Sequence, residues 1–115
     1  MIHEGSCHCG RIAYAVEGDI EQVIDCNCSH CRRKGYLLWF RPRTALTLKV
    51  PESDLATYTF NTHKIRHQFC PECGVATFGF GQDKHGNALV AVNVRCLPEV
   101  ELGALNIIPV DGKSA

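Results

Sequence analysis

The chain has 115 residues, 45% of them hydrophobic, and twelve Lys and Arg balance twelve Asp and Glu for a formal net charge of zero. These values suit one compact domain over residues 1–115 with a real core, and they argue against the basic excess of a nucleic-acid or membrane-surface binder. No stretch is apolar for long enough to span a bilayer as a helix.

In chain order, Met1–Gly10 has neither a basic leader nor an apolar run, so no secretory signal is expected and the compartment is expected to be the cytoplasm. A reducing compartment disfavours disulfides, and cysteines one or two residues apart seldom pair with each other because disulfide geometry is specific. That makes cysteine spacing the main signal. Cys7-x-Cys9 comes first, with Gly5 and Gly10 freeing the backbone around it. A strand is expected over Ile12–Val16. Cys26-x-Cys28-x-x-Cys31 follows, overlapping an expected helical turn over Ser29–Gly35 that ends in the basic run Arg32, Arg33 and Lys34. Further strands are expected over Leu37–Phe40, Leu46–Val50, Ala56–Phe60, Ile65–Phe69, Ala76–Phe80 and Leu89–Val94, with a helical turn over Pro51–Leu55. Several alternate: Leu46, Leu48 and Val50 share a face, as do Val90, Val92 and Val94. Cys70-Pro71-Glu72-Cys73-Gly74 has the composition of a zinc knuckle, with Pro71 presetting φ and Gly74 permitting a left-handed backbone after the second sulfur. Trp39, Phe40, Tyr58 and Phe60 read as core residues. The polar tail Asp111–Ala115 reads as frayed. The pattern is all-β, built of short antiparallel strands with cysteine clusters in the loops.

Seven of the eight cysteines thus lie in tight clusters, and clustered thiolates at these spacings point to metal. Seven divides as four and three. The two-sulfur units Cys7/Cys9 and Cys70/Cys73 combine into a closed Cys₄ site, which would tie the first ten residues to the middle of the chain. Structural zinc contributes about 10–16 kcal/mol of apparent binding free energy in small peptides, against a domain stability of about 5–15 kcal/mol. Cys26, Cys28 and Cys31 can grip one face of a second zinc. Its fourth position is either open to water or ligand, or closed by Cys96, His30 or a distant His. Two zinc ions on seven thiolates would leave the loaded chain at roughly −3.

Laid out in this way, the chain resembles the glutathione-dependent formaldehyde-activating enzyme family, which includes the centromere protein V-type domains. The resemblance rests on Gly5-Ser6-Cys7-His8-Cys9-Gly10, on Cys26-Asn27-Cys28-Ser29-His30-Cys31-Arg32-Arg33-Lys34-Gly35, on Phe69-Cys70-Pro71-Glu72-Cys73-Gly74 and on Val92-Asn93-Val94-Arg95-Cys96-Leu97. It implies a β-tent fold of small antiparallel sheets. It also implies a structural zinc on Cys7, Cys9, Cys70 and Cys73, and a second zinc on Cys26, Cys28 and Cys31 where the chemistry is placed. The implied activity is carbon–sulfur lyase chemistry joining formaldehyde to glutathione. The partner is then a small thiol or aldehyde, with no nucleic acid or membrane involved. No residue in the chain identifies a glutathione pocket.

Zinc at the trio would lower the pKa of an incoming thiol and polarise an aldehyde carbonyl. His30 is either an acid–base group or a surface residue of the loop. His63 and His67 either line a pocket or face solvent, and Cys96 reads as a buried thiol. The alternative to an enzyme is a non-catalytic zinc module for a protein partner or small thiol.

Overall fold

The computed structural model describes residues 1–114. The strands are β1 (Ile2–Ser6), β2 (Ala13–Glu17), β3 (Gln22–Cys26), β4 (Leu38–Pro42), β5 (Leu46–Leu48), β6 (Ala56–Tyr58), β7 (Arg66–Phe69), β8 (Ala76–Gln82), β9 (Ala88–Asn93) and β10 (Asn106–Val110). The one α-helix among the described residues, α1 (Ser29–Lys34), is less than two turns long. Each expected strand has a counterpart within a few residues, and Glu52–Asp54 forms a 3₁₀ turn inside the expected Pro51–Leu55. Strands β1, β3 and β10 lie outside the expected set. Two of them are short runs broken by polar residues, and β10 contains Pro109. Among the described residues no helix is long and apolar enough to cross a membrane.

The strands form two sheets. One has the order β1-β2-β5, and the other β10-β3-β4-β9-β8-β7-β6. All pairs are antiparallel except β10 with β3, which is parallel, from Asn106 opposite Gln22 to Val110 opposite Cys26. Pro109 is tolerated there because β10 is an edge strand with one unpaired side.

Alternation decides which face meets which. On one face of the large sheet Trp39, Phe78, Val90 and Val92 are buried, and they pack with Ile12, Tyr14 and Val16 of the small sheet. Tyr14 meets Phe78 edge-on at 5.0 Å between ring centroids, the arrangement aromatic quadrupoles favour. Asn93 pins the junction: its Oδ1 accepts from the backbone N–H of Leu37 and Arg95, and its Nδ2 donates to the Ala76 carbonyl. Among the described residues, no second sheet covers the opposite face of the large one.

At Gly5, on β1, a Cβ atom would lie 2.6 Å from the Tyr14 ring and 2.7 Å from Leu97. Gly5→Ala is therefore expected to cost about 1–3 kcal/mol through overpacking, read as a lowered Tm with unchanged cysteine chemistry. An unchanged Tm would mean the two side chains move aside freely.

Candidate functional site

Two hairpin turns, one from each sheet, meet at the first cysteine cluster. The turn between β1 and β2 carries Cys7 and Cys9, and the turn between β7 and β8 carries Cys70 and Cys73. The four sulfurs lie within 4.8 Å of one another. Cys9 Sγ is 3.6 Å from both Cys7 Sγ and Cys70 Sγ, close to the edge of about 3.8 Å that a tetrahedron with 2.3 Å zinc–sulfur bonds implies. Both turns are built alike. Gly10 (φ 84°) and Gly74 (φ 78°) take the left-handed backbone just beyond the second sulfur. The backbone N–H of Ile12 donates to Cys7 Sγ, and those of Glu72 and Cys73 donate to Cys70 Sγ. Arg11 and Glu72 clasp the turns together from outside at 2.7 Å.

The sulfurs in this cluster do not ionise alike. Cys73 is drawn down to about 6, first by the backbone N–H of Val75 and then by that of Cys9. Cys9 ends at about 11: the N–H of Arg11 lowers it, but desolvation and the thiols of Cys7, Cys70 and Cys73 outweigh that. Backbone donors thus favour the thiolate at Cys73 more than at Cys9, and a soft dication would favour it at all four.

The second cluster gathers Cys26, Cys28 and Cys31, again within 4.8 Å of one another. Cys26 ends β3. Cys28 is the N-cap of α1, with its sulfur accepting from the Cys31 N–H at 3.3 Å, and Gly35 (φ 69°) ends the helix. Burial pushes the Cys31 thiol well above its usual range. Both clusters could hold a metal ion. Among the described residues, no further Cys, His, Asp or Glu atom joins either the trio or the quartet at that distance. Cys96 stands apart, half-buried beside Asn93 and the Ala76 carbonyl.

The tail corrects an expectation. Residues 111–114 are docked rather than frayed, although Ala115 lies outside the described residues. Asn27, between two cysteines of the trio, donates from Nδ2 to Asp111 Oδ1 and accepts at Oδ1 from the Lys113 N–H, both at 2.9 Å. This brings Gly112 onto the trio, where a Cβ would lie 2.6 Å from Cys26 Sγ. The signal in the sequence is small: an Asx-type residue inside the cysteine run.

The trio borders a cavity of about 570 Å³ on the uncovered face of the large sheet. His30 and His67 both line it, with ring centroids 4.1 Å apart, so neither is the solvent-facing residue that one reading allows. Both ring nitrogens of His30 are shielded from solvent without a hydrogen-bond partner. Phe60 stacks on His67 (5.3 Å, 14°), and Tyr58 stacks on His30 (5.7 Å, 20°). Tyr58 and Phe40 are about half exposed, and Phe60 and Phe40 line the cavity. Only Trp39 of the four aromatics assigned to the core lies in it. Tyr36 also lines the cavity, and burial pushes its hydroxyl up to about 12, so it keeps its proton at neutral pH. His63 faces solvent at φ 56° and bonds to Thr59. The basic run does not enter the cavity: Arg33 caps the Ser29 carbonyl and Lys34 lies over the Phe69 ring.

A family model described as "Glutathione-dependent formaldehyde-activating enzyme" matches residues 2–105. A crystal structure of a Rhodobacter sphaeroides protein is similar at a TM-score of 0.77 and 30% identity, covering 91% of this chain and 99% of that one.

The docked tail and the paired imidazoles can each be tested. Asn27→Ala removes two side-chain bonds worth about 1–3 kcal/mol together, and it should speed amide exchange across residues 111–114 while the interior of β8 stays protected. Unchanged exchange would mean the tail is held by something else. Burial, then His30 and Lys34, hold His67 down at about 4. The unfolded chain takes this proton near 6.5, so the neutral ring's contribution to stability is intact above that pH and is lost as pH falls toward 4. An NMR titration of the His67 ring should therefore show a midpoint far below 6.5, and an ordinary midpoint would contradict the buried placement.

Proposed function

We propose that this chain, which belongs to the glutathione-dependent formaldehyde-activating enzyme family, adds a thiol to an aldehyde and catalyses the reverse cleavage at Cys26, Cys28 and Cys31. This is carbon–sulfur lyase-type chemistry, with glutathione and formaldehyde as the pair in the family's name. The observation that carries the reading is the convergence of three sulfurs on the wall of a cavity that also holds two imidazoles.

In this reading Cys7, Cys9, Cys70 and Cys73 would hold a structural zinc, and Cys26, Cys28 and Cys31, on the cavity wall, would hold a second. Bound there, zinc supplies a Lewis acid that lowers a thiol's pKa and polarises a carbonyl. The cytoplasm, as a reducing compartment, keeps all seven thiols available.

The chain's own residues do the rest. His30, with both ring nitrogens unpaired, accepts the proton of the substrate S–H. A bond forms between that sulfur and the carbonyl carbon, the carbonyl π pair moves to oxygen, and the proton is delivered to that oxygen, giving a hydroxyalkyl thioether. The reverse reaction returns the proton to sulfur as the carbon–sulfur bond breaks. Tyr36, protonated at neutral pH, is a donor for the oxygen. Phe60 and Tyr58 hold the imidazoles in place, and the cavity brings thiol and aldehyde together, which removes an entropic cost.

Cys28→Ser is expected to lower zinc content from about two ions to about one and to abolish thiol–aldehyde turnover above the uncatalysed background, with the sheets intact by circular dichroism. His30→Gln should keep both ions and lose about 10²–10⁴-fold in rate, the usual range for a general acid–base group. Full zinc and full turnover in Cys28→Ser would contradict the assignment.

A further inference from the structure

We propose that the thiol accepted beside Cys26, Cys28 and Cys31 carries a compact apolar group, alkyl or aryl, rather than a charged peptide; this rests on the thiol–aldehyde reading above. The cavity that leaves the trio runs across the uncovered face of the large sheet. Its floor is Gly79, Gly81 and Ala91, outward positions of β8 and β9 that lack the side chains to fill it. Its sides include Leu38, Phe60 and Leu89. Phe40, Ile65 and Val110, between 40% and 52% exposed, stand among the lining residues as uncovered apolar surface.

Charge separates the two ligand classes, and volume does not. At about 570 Å³ the space admits a drug-sized ligand of either kind. Glutathione brings two carboxylates and an ammonium, and burying such groups without partners is costly. No Lys, Arg, Asp or Glu lines the cavity among the described residues. Cations stand near the cavity but not in its lining: Arg43 and Arg66 lie over the Phe80 ring, Lys34 lies over Phe69, and Arg33 donates to the Ser29 carbonyl. Against Leu38, Phe60 and Leu89 an alkyl or aryl group gains what a carboxylate would lose.

The glycine floor supplies the variant. A Cβ at Gly81 would meet its nearest neighbour, Ile65 Cγ1, at 3.8 Å, an ordinary contact. Gly81→Leu therefore has room at its root and projects its branch into the cavity.

The test is calorimetry on the zinc-loaded protein with n-alkanethiols from ethanethiol to hexanethiol, with hexan-1-ol, and with glutathione. Wild-type affinity should rise about fourfold per methylene, the transfer value for a buried CH₂, and hexanethiol should bind more tightly than glutathione. Gly81→Leu should flatten the series. If ethanethiol binds but the series stays flat to hexanethiol, or glutathione binds most tightly, the apolar assignment is overturned and the thiol reading survives. If hexan-1-ol binds while no thiol outbinds its alcohol, the thiol reading falls and the apolar cavity stands. The wild-type series alone distinguishes these outcomes, so a misfolded Gly81→Leu would not change what they mean.

Discussion

The architecture turns on the meeting of two hairpin turns through four sulfurs. One turn belongs to the small sheet and the other to the large sheet, and Cys9 and Cys70, in contact at 3.6 Å, are 61 residues apart in sequence. Ionised sulfurs so close would repel one another. A dication at their centre would turn that repulsion into a cross-link between sheets. The hydrophobic contact of Tyr14 with Phe78 works in the same direction, so packing and the sulfur cluster agree on one relative placement of the two layers.

That placement explains why one face of the large sheet is free to be a site. With the small sheet covering Trp39, Phe78 and Val92, the opposite face has no partner layer among the described residues. Ordinarily such a face would be polar. Here glycines, Ala91 and a few apolar side chains leave a hollow instead, with the cysteine trio at one end and the His30–His67 pair beside it. The trio owes its geometry to three devices: the end of β3, the Cys28 cap of α1 and the docked tail at Gly112. None of them is a cross-link between sheets, whereas the quartet joins a turn of each sheet.

The β-rich class and the grouping of cysteines are legible in the sequence because both rest on local spacing. Val90, Val92 and Val94 alternate cleanly, and Cys70-Pro71-Glu72-Cys73-Gly74 spells out its own turn. What stays hidden are features set by distant partners. Strand β10 is recognisable only once β3 is there to pair with it in parallel. Phe40, Tyr58 and Phe60 carry the same hydrophobicity as core aromatics, and only the missing third layer turns two of them into cavity wall. His67 lies on a strand whose alternation leaves its ring's direction open, but α1 brings His30 within 4.1 Å of it. The tail reads as frayed because its anchor, Asn27, lies 84 residues from Asp111.

The central claim is that seven sulfurs gather around two separate ions, one enclosed by four and one held by three. X-ray absorption at the zinc edge of the fully loaded protein tests it most directly. The expected result is an average of roughly 3.5 sulfurs per zinc at about 2.3 Å, with the balance made up by a light atom. Four sulfurs on a single ion with no second metal retained, or cysteines oxidised to disulfides with no zinc edge at all, would contradict it.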